Sequence, residues 1–390
     1  MLIKKAKVLF FIDRMLTGGI QTLVMSLIKN MNRDVIQFDF LLLNDGKEYE
    51  LENEIIRLGG NFYKVPPMKA KSIYKCIKAM NQFFKEHNDY VAIHAHSSSK
   101  SALPLAIAKR HGIKVRIAHS HNTRFQTSQP IVIGIGNLLK IPLRIVANYY
   151  FACSTEAGTW LFGKRATKQG KVSIIHNAID LNAFHFDQSV RDRMRKKLNV
   201  HSDLVIGNVG RFEKQKNHDL LLNIFKEIKK REDSAILLLV GKGSLEELIK
   251  EKVDQLGLGD AVRFLGFRHD VKDLTQAMDI FVFPSLNEGL PVTGVEAQAV
   301  GLPCVFSDSI TKEVKLLNET CYVSLAEKPE VWADAIIKIV SSYERSDTTN
   351  VIREKGFDIQ MEAMKMEKFY LELKNWSETN AHNKCNCPCV

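Results

Sequence analysis

Ile280-Phe281-Val282-Phe283-Pro284-Ser285-Leu286-Asn287-Glu288-Gly289-Leu290-Pro291-Val292-Thr293-Gly294-Val295-Glu296-Ala297 carries a short apolar run into a helical start through a loop of glycine and proline. Ile280 to Phe283 reads as a buried strand, Pro284 ends it, and Pro291 opens the helix. In an open parallel sheet ligands gather at the carboxyl ends of strands, where loops and helix N-termini converge. The stretch places Glu288 in the loop and Glu296 about a turn into the helix. Glu296 can accept hydrogen bonds from vicinal ribose hydroxyls, and Glu288 can meet a sugar. Between them, after Pro291, the N–H groups of Val292 and Thr293 lack intrahelical acceptors and can face phosphates. The plainer reading is two unrelated surface glutamates.

Working outward, similar apolar runs alternate with segments of helical period, the pattern of parallel sheets with crossover helices. Strands are expected at Lys7 to Ile12, Phe38 to Leu43, Phe62 to Val65, Ala92 to His96, Val115 to His119, Tyr150 to Cys153 and Val172 to Ile175. The pattern restarts at Val205 to Val209, then Ala235 to Val240, Val262 to Leu265, Ile280 to Phe283 and Pro303 to Phe306. The restart implies a second sheet and two Rossmann-like domains. Asp180 to Asp203 reads as the linker, with a cleft opening nearby. Expected boundaries are 1–190 and 191–358, then a terminal helix over 359–376 packing back toward the first domain, and a tail over 377–390.

Two further loops offer chemistry. Thr17-Gly18-Gly19-Ile20-Gln21 follows the first strand, where glycines lacking a Cβ let backbone N–H groups approach a phosphate. A bare strand-to-helix turn explains it equally. Without the full G-x-G-x-x-G pattern, a nicotinamide dinucleotide is disfavoured. Gly207-Asn208-Val209-Gly210-Arg211-Phe212-Glu213-Lys214-Gln215-Lys216-Asn217 sets a guanidinium fork and an ammonium beyond a buried strand. Arg211 and Lys216 could reach one diphosphate and stabilise charge on a departing pyrophosphate, or could be an ordinary solvated loop.

Composition bounds the rest. The chain has 390 residues, 45% apolar and 25% charged, an ordinary globular make-up too long for one core. Residues 1–180 hold 26 Lys and Arg against 12 Asp and Glu, leaving 29 against 32 in residues 181–390. The basic surplus of the first half implies an acidic partner: a membrane surface, a phosphorylated substrate or nucleic acid. Nucleic acid is set aside for want of an aromatic-rich basic motif. Cys76, Cys153, Cys304 and Cys321 stand singly in apolar contexts, as reduced core thiols do. Cys385, Cys387 and Cys389 lack the paired halves of a zinc site and read as a dispensable tail. The opening residues are too short and basic for a signal peptide, which reads as cytoplasmic.

The chain resembles the retaining glycosyltransferases of family 4, which have the GT-B fold of two Rossmann-like domains whose parallel sheets face across a cleft. The resemblance runs from about Lys5 to Val340 and rests on Glu288 to Glu296, on Gly210-Arg211-Phe212 with Lys216-Asn217, on Gly18-Gly19, on Gly301-Leu302-Pro303, and on Asn177-Ala178-Ile179-Asp180. It implies Arg211 and Lys216 on the donor diphosphate, Glu296 on ribose, Glu288 near the donor sugar and Gly19 on the phosphate side. The nucleobase would lie by Gly266-Phe267-Arg268-His269-Asp270. Of the paired histidines His94/His96 and His119/His121, His119 resembles the active-site histidine, touching the donor sugar or orienting the acceptor. No metal site and no cofactor are expected. The implied reaction is sugar transfer from a nucleoside diphosphate sugar, UDP-linked by preference, to a saccharide or lipid-linked acceptor in exopolysaccharide, capsule or envelope glycan assembly. Rivals are a synthase with a soluble acceptor and a nucleotide-sugar sensor without turnover. Lys64, Lys69, Lys71, Lys75 and Lys78 form a basic cluster, and helical spacing would put the last three on one face, suited to an anionic membrane at its inner side.

Overall fold

The structure is a computed structural model that describes residues 5–15, 18–125, 127–200 and 204–379. Thr17 of the glycine loop and the three tail cysteines lie outside the described residues. The chain divides into two units, one formed by 1–177 with 359–390 and the other by Ala178–Asp358.

The first unit holds β1 (Ala6–Ile12), β2 (Ile36–Leu43), β3 (Asn61–Val65), β4 (Ala92–Ala95), β5 (Val115–Ser120), β6 (Tyr149–Ala152) and β7 (Val172–Ile174). They pair in the order β3-β2-β1-β4-β5-β6-β7, all parallel. The order reverses direction between β1 and β4, the switch at which open sheets build sites. Phe10 and Phe40 stack at 5.3 Å on the sheet. The helix Ile359–Thr379 belongs to this unit, packing on the helix Gly19–Asn30 and on β1. Its Ala363, Met366, Tyr370 and Leu373 are buried, the 3- and 4-residue spacing of one helical face.

The second unit repeats the plan with β8 (Val205–Val209), β9 (Ile236–Val240), β10 (Val262–Gly266), β11 (Ile280–Phe283), β12 (Cys304–Ser307) and β13 (Cys321–Val323), ordered β10-β9-β8-β11-β12-β13. Twelve of these thirteen strands coincide with expected runs. β13 was not expected: three residues at a sheet edge carry too little periodicity to register.

The division of the chain falls ahead of the expected 190/191 junction. The cause is the helix Gln188–Lys197, capped by the Asp187 side chain. Its Arg191 and Arg195 both reach the Asp279 carboxylate, at 2.5 and 3.2 Å, fastening the helix to the second unit. What reads as a polar linker is therefore part of that unit. The lysine cluster also differs from expectation. The helix begins at Ile73, so Lys71 lies in the preceding turn and shares no helical face with Lys75 and Lys78. Lys64 is paired with Glu52 at 2.8 Å.

Candidate active site

In the second unit the loops after β8, β9 and β10 are laced by their backbones. Gly210 N–H donates to Val240 O at 2.9 Å, Phe212 N–H to Lys242 O at 3.1 Å and Gly241 N–H to Gly266 O at 2.9 Å. Gly241 has φ +143°, and a Cβ there would come within 2.0 Å of Gly210 O. Only glycine fits. This close approach fixes where the chain leaves β8, and Arg211 emerges there exposed, with no ion pair among the described residues.

The β8 loop is then tied to the loop after β11. Leu286 N–H donates to Gln215 O at 2.8 Å, Gln215 Nε2 to Asn287 O at 2.7 Å, and Asn217 Nδ2 to Pro284 O at 3.1 Å. These bonds bring Lys216 Nζ to 2.7 Å from Glu288 Oε1 and 4.3 Å from the Phe283 ring centroid. Both side chains of the pair are mostly buried, 15% and 12% exposed, so their attraction is little screened. The Glu288 backbone is held in turn by a parallel bridge to Ile310.

The helix Val292–Ala299 starts directly after this loop, with Pro291 ahead of it and no side-chain cap. Gly294 and Val295 N–H both turn back to Pro291 O, which leaves Val292 and Thr293 as first-turn donors at the positive end of the helix dipole. Gly294 lets the helix lie close on β12, since a Cβ would meet Phe306 at 3.0 Å. Gln298 anchors the far end. Its amide donates to Gly294 O and Val314 O, and its carbonyl accepts from Leu316 N–H, Leu317 N–H and the Thr320 hydroxyl. Desolvation pushes the Glu296 carboxyl up to about 7, so near neutrality it gains or loses a proton easily. Phe267 is 55% exposed beside β10, whereas Arg268 is engaged with Asp270 by two bonds, at 2.7 and 2.5 Å.

The first unit contributes separately. Gly18 and Gly19 open the helix Gly19–Asn30, again without a side-chain cap. His94, His96, His119 and His121 are all buried, and their rings stack, His119 on His121 at 4.1 Å and His94 on His96 at 4.3 Å. Burial holds all four well below the usual imidazole range, His94 and His121 at about 3, so they are neutral. His94 Nδ1 lies 2.7 Å from the Tyr370 hydroxyl and His94 Nε2 lies 3.1 Å from His119 Nδ1. A phenol is the better donor to a neutral imidazole, and burial raises the Tyr370 pKa. Where the Tyr370 hydroxyl donates to His94, His94 donates on to His119 and the His119 proton sits on Nε2; the opposite tautomers run the same chain in reverse. His119 Nε2 has no partner among the described residues, and His119 is only 1% exposed. Ring nitrogens of His94, His96 and His119 lie within 4.8 Å of one another, with no carboxylate or thiolate joining the set among the described residues, and both His94 nitrogens are already engaged. The roles of Tyr370 and His94 were not read from the sequence; the equal two-residue spacing of the histidine pairs on neighbouring strands was the available signal.

Two Rossmann-like units with parallel sheets of seven and six strands are the architecture of the GT-B fold. Residues 17–183 match the model of Glycosyltransferase Family 4 and residues 190–366 that of Glycosyl transferases group 1, and the chain belongs to this family. It is 34% identical to EpsF of Bacillus subtilis over 97% of this chain and 98% of that one. It is 24% identical to the capsular polysaccharide biosynthesis glycosyltransferase CapH of Staphylococcus aureus over 94% of this chain and 98% of CapH. Anabaena HepE, solved with UDP and glucose, shares the fold with a TM-score of 0.74 at 17% identity, covering 94% of this chain and all of HepE.

Proposed function

We propose that the protein transfers a sugar with retention from a UDP-sugar to a saccharide or lipid-linked saccharide in exopolysaccharide or capsule assembly. The observation that carries this reading is the Lys216–Glu288 pair set beside the uncapped start of the helix Val292–Ala299. Departure of a nucleoside diphosphate leaves growing negative charge on its outer phosphate. Arg211, Lys216 and the first-turn N–H groups are the donors suited to it, and they supply the neutralisation that a divalent ion gives elsewhere. Glu288 keeps Lys216 aimed and the pair mostly buried, so the ammonium has little water to reorganise as charge develops. Glu296 suits the ribose hydroxyls. The UDP bound by HepE and the capsular role of CapH support donor and setting. With the Glu288 carboxylate engaged by Lys216, the acceptor attacks from the face the diphosphate leaves, and a phosphate oxygen takes its proton.

The test is UDP release from UDP-glucose and UDP-galactose with membrane-derived acceptors. Nuclear magnetic resonance of the product is expected to give the donor's anomeric configuration, at a rate unchanged by EDTA. Inversion, or a rate restored only by added manganese, would overturn the mechanism. Donor binding without any consumption would favour a sensor instead.

A further inference from the structure

The helix Pro130–Val146 has two opposed faces. Gly136, Lys140 and Leu143 are buried, and Phe125 with Trp160 forms the floor, the Lys140 ammonium lying 4.1 Å from the Trp160 ring centroid. On the opposite side Ile131, Ile135, Leu138 and Ile145 are exposed by 78, 54, 67 and 68%, with Ile141 beside them at 60%. At 100° per residue those first four positions fall on one narrow stripe. Scattered exposed apolar residues need no explanation, but a continuous stripe of large ones along a whole helix marks a contact surface.

The charge around it says what the stripe contacts. Between Asp89 and Asp180 the only acidic residue is Glu156, while residues 122–171 hold Arg124, Lys140, Arg144, Lys164, Arg165, Lys168 and Lys171. All but Lys140 are exposed. The Arg144 guanidinium donates to Leu161 O and borders Gly163, so the short basic helix Lys164–Lys168 begins beside it. Pairing with a second copy would bring two such cationic rims together. An anionic bilayer complements both features, with acyl chains for the stripe and headgroups for the rim. No helix among the described residues is long and apolar enough to cross a membrane, and Pro142 interrupts this one.

We propose that the helix Pro130–Val146 lies flat in the surface of an anionic membrane, its stripe in the acyl boundary and Arg144, Lys164, Arg165 and Lys168 on the headgroups. This deepens the lipid-linked acceptor reading, yet it is read without donor or acceptor, so its failure leaves sugar transfer untouched. It also assigns the membrane contact to this helix and away from Lys71, Lys75 and Lys78.

The experiment is sedimentation of the full chain with vesicles of phosphatidylcholine containing phosphatidylglycerol, against phosphatidylcholine alone. Wild type is expected to bind the mixed vesicles and release as salt rises, each cation being worth roughly fivefold. An Ile135→Gln, Leu138→Gln, Ile145→Gln variant removes only exposed groups and keeps good helix formers. It should melt like wild type and lose about a hundredfold or more in partition. The single variants Leu138→Gln and Ile145→Gln should give graded losses, which keeps the test decisive if the triple variant folds poorly. A Lys71→Glu, Lys75→Glu, Lys78→Glu variant should still sediment. Wild-type binding by the glutamine variants, or a dimer that those variants convert to monomer, overturns the proposal.

Discussion

The Lys216 ammonium pairs with Glu288 at 2.7 Å, and in the proposed reaction it also meets the leaving phosphate. Charge on the leaving diphosphate rises toward the transition state, so Arg211→Ala and Lys216→Ala should each lower turnover more than donor affinity, by about ten- to a hundredfold in kcat. Steady-state kinetics beside direct UDP titration separates the two, and wild-type turnover in both variants would remove the assignment. Glu296 makes a second prediction through its proton. Its folded pKa of about 7 lies above the ordinary value. Without donor, ionising it therefore costs stability as pH rises from the unfolded value through 7. Ribose hydroxyls donating to the carboxylate favour the charged form and pull that pKa down. UDP binding should then release a proton near pH 7, in addition to any shared with the phosphate. Calorimetry in buffers of differing ionisation enthalpy measures it, and Glu296→Gln should abolish that part. Equal release by the variant would place the titration elsewhere.

At the scale of elements, the helix Gln188–Lys197 is fixed to the second unit by Arg191 and Arg195, which donate to the carbonyls of Gln276, Ala277 and Met278 and reach the Asp279 carboxylate, itself accepting from Val205 N–H at 2.8 Å. Asp279→Ala leaves two guanidinium groups without their carboxylate in a partly buried place and should cost about 3 kcal/mol in urea unfolding. A loss under about 1 kcal/mol would show the pair to be solvent-screened. Elements like β8 and β11 were legible because fully buried parallel strands read as unbroken apolar runs, and the donor-side loops because each is contiguous in sequence. The Glu288–Glu296 stretch thus displays its own strand, turn and helix. The Tyr370–His94–His119 chain was not legible, since 276 residues separate its first two members and only folding brings Tyr370 of the terminal helix to His94. The exposed stripe of Pro130–Val146 was missed for the opposite reason. A run such as Ile131-Val132-Ile133 has the composition of a core helix, and sequence alone does not tell which neighbour leaves it uncovered.

For the whole molecule, two units with their own sheets and cores predict two melting transitions, only one of which should respond to nucleotide. Of the groups proposed for the donor, Arg211, Lys216, Glu288, Glu296 and the start of the helix Val292–Ala299 all lie in Ala178–Asp358. A ligand that binds only the folded form at 100 times its dissociation constant stabilises by about 2.7 kcal/mol. For a unit of this size each kcal/mol is worth about 2–4 °C, so UDP should raise one transition by about 5–11 °C. The chain passes between the units twice, at 177/178 and 358/359, so the first unit cannot be isolated by a single truncation. Scanning calorimetry of the full chain is the direct measurement. Lys216→Ala should shrink the UDP-induced rise while leaving the unresponsive transition in place. A single transition that moves as a whole would mean the two cores melt cooperatively, and a rise undiminished in Lys216→Ala would mean the diphosphate is held by other groups.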